Sequence, residues 1–317
     1  MKEGDDSLSI RAAWLHYVAG MTQGEVAARL NVTNVKAHRL IARANQNGAI
    51  KISIEGDIAG CMALERQLEA TYKLGWSQVV PELHEHGMPI KALALAGGRF
   101  LQLEIEGGQS SLIGIGHGRT LSAAVSSMPK VDASKVRFVS LLGGVTRNYR
   151  ANPHDVMHRL TERTGGAAFV MPVPFFANSA EDREILIAQR GVREVFDLAS
   201  RADTMLVGIG TTELSAQLVA SQMIEASEIS EVREAGGVGE MLGHFFDRDG
   251  KPIETSLSAR TLSPDLSVLR AGRIIAIAGG DDKLAAIRSV LRSGFLSGLI
   301  TDERTAERLT RQDEGWL

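Results

Sequence analysis

The stretch MTQGEVAARLNVTNVKAHRLIARA (residues 21–44) contains the start signals of two short helices separated by one turn. Thr22 and Glu25 have the spacing of a capping box, in which each side chain accepts a hydrogen bond from the other residue's backbone amide. Thr33 is placed to cap the second helix. The apolar residues of that helix recur at helical spacing, at Ala37, Leu40, Ile41 and Ala44. The stretch therefore predicts two helices that pack against each other.

Residues on both sides of this stretch extend the pattern. The pattern from Leu8 to Ala19 predicts a first helix that stops at Gly20, with apolar residues at helical spacing: Leu8, Ala12, Leu15, Val18 and Ala19. After Gly48, the run AIKISIE alternates apolar and polar side chains, as a strand with one buried face does. Three helices followed by a strand predict a winged helix-turn-helix domain over residues 1–56.

The exposed side of the last helix has the chemistry of a DNA-reading surface. Asparagine, lysine and arginine offer hydrogen-bond donors that match base edges and phosphate oxygens. Residues 1–56 contain seven basic and five acidic residues, whereas the whole chain has a formal charge of −3. The candidate DNA-binding residues are Thr33, Asn34, Lys36, His38, Arg39 and Arg43.

The remaining residues alternate between strand-like and helical patterns. Residues 57–74 predict a linker helix, with Ile58, Cys61, Leu64, Leu68 and Tyr72 on one face, that serves either dimer contacts or packing on its own domain. Seven apolar runs follow: WSQVV, SSLIGIG, VRFVSLL, AAFVMPV, TMLVGIG, RIIAIAGG and LSGLIT. Helical patterns separate several of them: RTLSAAVSSM, NPHDVMHRLTERTG, TELSAQLVASQMI and DDKLAAIRSVLRSG. This alternation predicts an α/β domain over residues 75–317 with an open parallel sheet and helices on both faces.

Several turns that follow the predicted strands are rich in glycine. They are 114–120, 143–144, 208–211 and 279–283. In open parallel sheets, ligands bind beyond the carboxyl ends of the strands, where helix N-termini favour anions and arrays of hydroxyl groups. The coincidence of these turns predicts a ligand site.

Other kinds of site fit the sequence less well. The dinucleotide fingerprint is excluded because the third glycine of the 114–120 turn comes too early and no acidic residue ends the next strand. His154 and His158 share a helix face, but a third zinc ligand and the catalytic glutamate of metalloproteases are missing. His84 and His86 are likewise not predicted to bind a metal. No metal and no cofactor are predicted.

The composition predicts a cytoplasmic protein. Cys61 is the single cysteine, so an internal disulfide is excluded, and a reducing compartment is expected. The acidic start MKEGDDSLSI lacks the apolar segment of a signal peptide, and no apolar run reaches the roughly 18 residues of a membrane span. We therefore expect no membrane association.

Motifs along nearly the whole chain resemble the SorC family of sugar-binding transcriptional regulators. They are MTQGEVAARLNVT, RLIARANQNGAIKI, GIGHGRTL, LLGG, NPHDVMHRLTERTGG, MPVPF, DTMLVGIG, GGVGEMLGHFFDRDG, RIIAIAGGDDKLAAI and LITDERTAERL. The resemblance implies a Rossmann-like effector domain, similar to sugar-phosphate isomerase and CoA-transferase sheets, that senses a ligand. It also implies homodimers or homotetramers on operator DNA. RAAWLHYVAGMTQ and VKAHRLIARANQ resemble the branch that represses erythritol catabolism.

The resemblance also implies which residues bind the effector. They are Gly116, His117, Gly118, Arg119 and Thr120 in one loop, with Asn152, Gly210, Glu240, Asp247 and Lys283 elsewhere. This chain departs from the family at His117, where an aromatic residue is common, and at Ala37-His38-Arg39, where Val-Ser-Arg is common. Asn152 before Pro153 is equally suited to cap a helix, and Asp247 to shape a hairpin turn.

Taken together, these patterns predict a DNA-binding regulator, a repressor, of a sugar or polyol catabolic operon. Its effector is a small sugar, polyol or sugar phosphate. Arg119 and Lys283 would favour a phosphorylated effector, whereas Thr120 and His117 would suit a neutral polyol. The alternative is an enzyme of the sugar-phosphate isomerase type, for which Glu240 and His117 are the candidate acid/base pair.

Overall fold

The computed structural model describes residues 3–47, 49–50, 59–83, 85, 87–144, 156–270 and 272–311. The contacts divide the chain into two compact units, Met1–Asp57 and Ile58–Leu317. Each unit is described by itself below.

Three helices form the first unit: α1 (Glu3–Tyr17), α2 (Gln23–Arg29) and α3 (Asn34–Gln46). Their common core consists of Ala12, Leu15, Val26, Ala27, Ala37, Leu40 and Ile41. The predicted helix extends to Ala19, but α1 ends at Tyr17, and Val18 and Ala19 are exposed. The chain turns there through Gly20, whose φ is +69°. Of the predicted wing strand, residues 51–55 lie outside the described residues.

Side-chain caps fix the starts of α2 and α3. The amide of Glu25 donates to Thr22 Oγ1 (3.3 Å), and the amide of Thr22 donates to Glu25 Oε2 (2.7 Å). Thr33 Oγ1 accepts from the amide of Lys36 (3.3 Å). Asn31, with a φ of +53°, makes the tight turn between the two helices. The predicted capping box and the predicted cap at Thr33 are confirmed.

A seven-stranded parallel sheet forms the centre of the second unit. Its strands are β1 (Trp76–Val80), β2 (Leu112–Ile115), β3 (Arg137–Ser140), β4 (Ala167–Phe169), β5 (Thr204–Val207), β10 (Arg273–Ile277) and β11 (Gly298–Asp302). Their order across the sheet is β1-β11-β10-β5-β2-β3-β4. All seven predicted strands are therefore confirmed.

Helices cover both faces of the parallel sheet. They are α4 (Ala59–Tyr72), α5 (Ile90–Gly107), α6 (Arg119–Ser127), α7 (Val156–Thr164), α8 (Ala180–Ala188), α9 (Arg190–Ala199), α10 (Gln217–Ala220), α11 (Ala226–Glu234), α12 (Leu266–Leu269), α13 (Leu284–Arg292) and α14 (Glu303–Thr310). Ile274 and Ala276 belong to one apolar cluster, and Ile275 and Ile277 to another, because alternate residues of a strand point to opposite faces.

A second, four-stranded antiparallel sheet was not predicted. It contains β6 (Gly210–Thr211), β7 (Gly239–Met241), β8 (His244–Phe246) and β9 (Pro252–Ile253), in that order. The predicted helix over TELSAQLVASQMI is largely wrong, since only Gln217–Ala220 is helical. The segment instead follows directly after β6 and turns at Gln222, whose φ is +57°.

The predicted linker helix, α4, packs on the sheet of its own unit. Cys61 and Leu68 are buried there, and Leu64 and Tyr72 are partly buried against the same cluster. The Tyr72 hydroxyl also donates to the carbonyl of Leu309 (3.0 Å). Of the two roles left open for this helix, packing on its own domain is the one that the structure shows.

Among the helices that the structure describes, none has the length and apolar character needed to cross a membrane.

Gly98 lets α5 and α6 touch through their backbones. A Cβ at Gly98 would lie 2.7 Å from the carbonyl oxygen of Ala124 and 3.0 Å from the amide nitrogen of Met128. Because backbone atoms cannot move aside cheaply, we expect Gly98→Ala to lower the free energy of unfolding by about 1–3 kcal/mol. Urea denaturation measures this change.

Gly107→Ala is the matched control for this prediction. Gly107 ends the same helix, is exposed, and has only Gln109 Cγ near its Cβ position, at 4.0 Å. Equal free energies of unfolding of the two variants would contradict the claim that the α5–α6 contact requires glycine at position 98.

Candidate functional site

The order of the strands reverses between β2 and β5, and open parallel sheets form a crevice at such a point, beyond the carboxyl ends of the strands. These strands are neighbours, but the chain leaves β2 toward β3 and β4, whereas it leaves β5 toward β10 and β11. Ligands bind at such a reversal, beyond the carboxyl ends of the strands. The amide of Gly116 donates to the carbonyl of Leu206 (2.8 Å), and a Cβ at Gly208 would lie 3.5 Å from the carbonyl oxygen of His117. The predicted turns 114–120 and 208–211 therefore meet at this point.

The first of these turns leads directly into α6. Gly118 is the N-cap, with a φ of +129°, and it has no side chain that could cap the free amides of the first turn of the helix. Such amides, together with the helix dipole, favour a negatively charged group. Thr120 is buried, and its hydroxyl donates to Met88 Sδ (3.8 Å), whereas Arg119 is exposed.

Glu240 approaches the crevice from the small sheet. Gly210 in β6 is opposite Glu240 in β7, and a Cβ at Gly210 would overlap Glu240 Oε2. Glu240 Oε1 accepts from the amide of Gly243 (2.6 Å). Burial raises the pKa of the Glu240 carboxyl, while the Gly243 amide and the charge of Lys283 act in the opposite direction. The residue at 210 must therefore be glycine for this carboxyl to occupy its position.

Lys283 approaches the crevice from the turn after β10. Its ammonium group donates to the carbonyl of Ile209 (2.6 Å). The pKa of Lys283 is lowered to about 8, mainly because the ammonium group is buried and also because of the charge of Arg119, while the charge of Glu240 acts in the opposite direction. Arg119 and Glu240 thus each lie close enough to Lys283 for their charges to act on it. The structure thus brings together the 116–120 turn, Gly210, Glu240 and Lys283.

Asp247, another predicted effector residue, does not join this group. Asp247 Oδ1 accepts from the amides of Asp249 (2.9 Å) and Lys251 (2.8 Å), in the turn between β8 and β9. Its carboxylate therefore shapes a hairpin turn, which was the alternative considered for it. Asn152 and the neighbouring Pro153 lie outside the described residues.

Two residues at the site were missed by the sequence analysis. Leu242, with a φ of +53°, forms the β7–β8 turn with Gly243, and its Cδ2 would be 3.3 Å from a Cβ at Gly116. Met88 reaches Thr120 from the segment before α5. A leucine before a glycine is a weak turn signal, and nothing in the local pattern around Met88 predicts its contact.

The candidate DNA-binding residues lie on α3. Asn34, Lys36, His38 and Arg39 are exposed, and Thr33 is the N-cap. Arg43 is half-buried and forms an ion pair with Asp6 of α1 (2.9 Å). A surface of exposed donors along one helix is suited to a DNA groove, whereas Arg43 also stabilises the packing of its own unit.

Within the part of the chain that the structure describes, no three acidic, histidine or cysteine side chains form a group that could hold a metal ion. His158, one of the two histidines considered for zinc, is exposed, and its Nε2 lies 3.4 Å from Glu162 Oε1. His154, like His84 and His86, lies outside the described residues.

Comparisons with known proteins identify several relatives. Residues 56–311 match a family described as a putative sugar-binding domain. The erythritol catabolism regulatory protein EryD of Brucella abortus is 58% identical over 315 residues, which are 99% of this chain and 100% of that protein. The transcriptional regulator LsrR of Klebsiella pneumoniae is 31% identical over 307 residues, which are 95% of this chain and 92% of that one.

Solved structures share the fold. The crystal structure of the full-length sorbitol operon regulator SorC from Klebsiella pneumoniae matches with a TM-score of 0.71 and 23% identity, covering 97% of this chain and 100% of that one. A domain of a possible sugar-binding transcriptional regulator from Arthrobacter aurescens matches with a TM-score of 0.72 and 23% identity, covering 81% of this chain and 99% of that one.

The pKa of Lys283 predicts how stability changes with pH. Below about pH 8, Lys283 is protonated in both the folded and the unfolded chain. Between about pH 8 and its ordinary pKa of 10.5, only the unfolded chain keeps the proton, so folding is increasingly favoured as the pH rises. We expect the stability of the wild type relative to Lys283→Met to increase across this window, as measured by urea denaturation at a series of pH values.

Lys251→Met is the control, because Lys251 is an exposed lysine of the β8–β9 turn. A difference between the wild type and Lys283→Met that stays constant with pH would show that Lys283 is not desolvated.

Proposed function

Because the chain belongs to the SorC family of sugar-binding transcriptional regulators, we propose that it controls an operon for erythritol catabolism. The observation that carries this proposal is the 58% identity to EryD over 99% of the chain. The relatives that span the chain are regulators, so the protein is a transcriptional regulator and not an enzyme. The isomerase alternative, with Glu240 and His117 as its acid/base pair, is therefore set aside.

We propose that the effector binds at the crevice between β2 and β5. The free amides at the start of α6, the Thr120 hydroxyl, the carboxyl of Glu240 and the ammonium group of Lys283 are the groups that support this placement. Burial favours the protonated form of Glu240, which can donate a hydrogen bond to a ligand hydroxyl. A polyol matches such an array of donors and acceptors.

The charges at the crevice favour a phosphorylated polyol. Arg119 and Lys283 lie close enough to interact, and a phosphate group between them would relieve the repulsion that lowers the pKa of Lys283. The dipole of α6 acts in the same direction. We therefore propose a phosphate ester of erythritol as the effector, with neutral erythritol as the alternative that the experiment below distinguishes.

Operator DNA is the second proposed partner. The exposed residues of α3 would enter the major groove, and effector binding would relieve repression by lowering operator affinity. A regulator that binds operator DNA in a bacterium works in the cytoplasm. In this proposal residues 1–56 bind DNA, residues 57–74 link the domains, and residues 75–317 bind the effector and form oligomers.

We further propose that the protein acts as a homodimer or homotetramer. Ile10, Trp14 and Tyr17 are spaced by four and three residues on α1, and they are 53%, 56% and 43% exposed. An exposed apolar stripe with this spacing is typical of a helix that pairs with another helix. A second copy of the chain would supply an identical helix, and sedimentation velocity would measure the stoichiometry.

Substitutions in α3 test the DNA-binding surface. We expect Lys36→Ala and Arg39→Ala each to weaken binding to the operator by about 5–150-fold, because each side chain contributes about 1–3 kcal/mol as a base or phosphate contact. The melting temperatures should stay close to the wild-type value, since both residues are exposed. Fluorescence anisotropy at one fixed salt concentration measures the affinity.

Arg193→Ala is the matched control for these variants, because Arg193 is exposed on α9 of the other unit. If both α3 variants bind the operator like this control, α3 is not the DNA-reading helix.

A thermal-shift comparison tests the effector site. Erythritol phosphate should raise the melting temperature more than erythritol does, because its charge can interact with Arg119 and Lys283. A ligand at 100 times its Kd stabilises the folded state by about 2.7 kcal/mol. Thr120→Val keeps the shape of the side chain but removes the hydroxyl, so it should reduce this shift. Thr161→Val on α7 makes the same change at an exposed position and should have no effect.

A larger shift with neutral erythritol would reverse the choice between the two effectors. A shift in Thr120→Val equal to that of the wild type would show that the ligand binds elsewhere.

A further inference from the structure

Two carboxylates of α4 occupy the free edge of the parallel sheet. β1 is the last strand on its side and pairs with β11. On its other side, the amide of Ser77 donates to Glu69 Oε1 (2.8 Å), and the amide of Val79 donates to Glu65 Oε1 (2.9 Å). The Ser77 hydroxyl donates to Glu69 Oε1 and to the carbonyl of Glu65, both at 3.1 Å. We call these four contacts the carboxylate clamp.

The spacing of the clamp defines a single register. Two helical residues four positions apart are separated by about 6 Å along the helix axis. Two strand residues two positions apart are separated by about 6.6 Å. Glu65 and Glu69 therefore match Val79 and Ser77 one to one, with the helix antiparallel to the strand. A shift of α4 by one residue along β1 would break both backbone hydrogen bonds at once. The clamp is therefore either formed or broken as a unit.

The segment that contains the clamp connects the two proposed binding sites along the chain. It begins with α4, directly after the first unit, whose last residue is Asp57. After β1 it continues to Met88, whose Sδ accepts from the Thr120 hydroxyl (3.8 Å) and whose Cα lies 3.4 Å from the Cβ position of Gly280. Residues 59–89 thus run from the DNA-binding unit to the start of α6.

Met88 is placed to respond to an effector. A thioether sulfur is a weak hydrogen-bond acceptor, whereas a phosphate or hydroxyl oxygen is a strong one. A ligand oxygen at the start of α6 would therefore replace Met88 Sδ as the acceptor of the hydrogen bond from the Thr120 hydroxyl. Loss of this hydrogen bond would remove the contact between α6 and the segment that connects β1 to Met88.

We propose that Glu65 and Glu69 are positioning residues that make α4 and β1 move as one body, so that effector binding at Thr120 reaches the DNA-binding unit. This inference rests on the proposed function. Without the clamp, β1 would respond to the effector while α4 would not follow. The effector would still bind, but the DNA affinity would no longer respond to it.

The test compares two double variants of the full chain. Glu65→Ala/Glu69→Ala removes the acceptors, whereas Glu65→Gln/Glu69→Gln keeps an Oε1 acceptor at each position. Arg66→Ala/Gln67→Ala changes two exposed residues of the same helix and is the control. Operator affinity is measured by anisotropy with and without erythritol or erythritol phosphate, and ligand binding is measured by calorimetry. Amide hydrogen exchange at Ser77 and Val79 reports whether the clamp is broken.

In the wild type, we expect the ligand to change operator affinity by about 5–150-fold, the usual range of coupling between sites. In the alanine double variant, the ratio should fall toward one, ligand affinity should stay close to wild type, and both amides should exchange faster. The glutamine pair and the control should keep the response. The single variants Glu65→Ala and Glu69→Ala should each lose part of it, which provides a test if the double variant does not fold.

A full response in an alanine variant whose Ser77 and Val79 amides exchange rapidly would overturn this inference and leave the proposed function intact. Loss of the response in the glutamine pair would also overturn it, since the acceptors are still present. If the wild type binds both ligands but the DNA affinity changes with neither, the proposed function itself fails.

Discussion

The pairing of β2 with β5 is the constraint on which the candidate site depends. These two strands are neighbours, yet the chain continues from them in opposite directions, so no crossover covers their carboxyl ends. The amide of Gly116 is held by the carbonyl of Leu206, and this bond fixes where the 116–120 turn begins. The small antiparallel sheet and the turn after β10 then contribute Glu240 and Lys283 from the other sides. The topology of the sheet thus fixes the position of the crevice, and the side chains of Glu240 and Lys283 make it polar.

Inside this crevice, burial and charge act against each other. Burial disfavours the charged forms of both Glu240 and Lys283, whereas the opposite charge of each residue favours the charged form of the other. Arg119 adds a second positive charge near Lys283. Such a site is poorly satisfied by water alone, and it gains most from a ligand that carries both hydroxyl groups and negative charge. These are the properties on which the proposal of a phosphorylated polyol as the effector rests.

The sequence predicts the features that short-range physics determines. Capping residues such as Thr22 and Thr33 mark helix starts, and the central strands β2, β5, β10 and β11 are visible as apolar runs because both of their faces are covered. Strands of two or three residues, such as β6, are too short to show alternation, and so the small sheet was missed. Glycine-rich turns predicted the 116–120 loop. The contact of Met88 with Thr120 depends on tertiary packing alone, and no local pattern encodes it.

The close approach of α5 and α6 at Gly98 has a consequence for ligand affinity. With backbone against backbone, no layer of flexible side chains lies between the helices, so α6 is held as a rigid body against its neighbour. A four-carbon polyol offers few atoms for contact, and a site that had to order itself on binding would lose much of the free energy that those contacts provide. Because α6 is held rigidly at Gly98, the amides of its first turn are already oriented before a ligand binds. If the effector binds where we propose, this preorganisation would reduce the free-energy cost of binding so small a molecule.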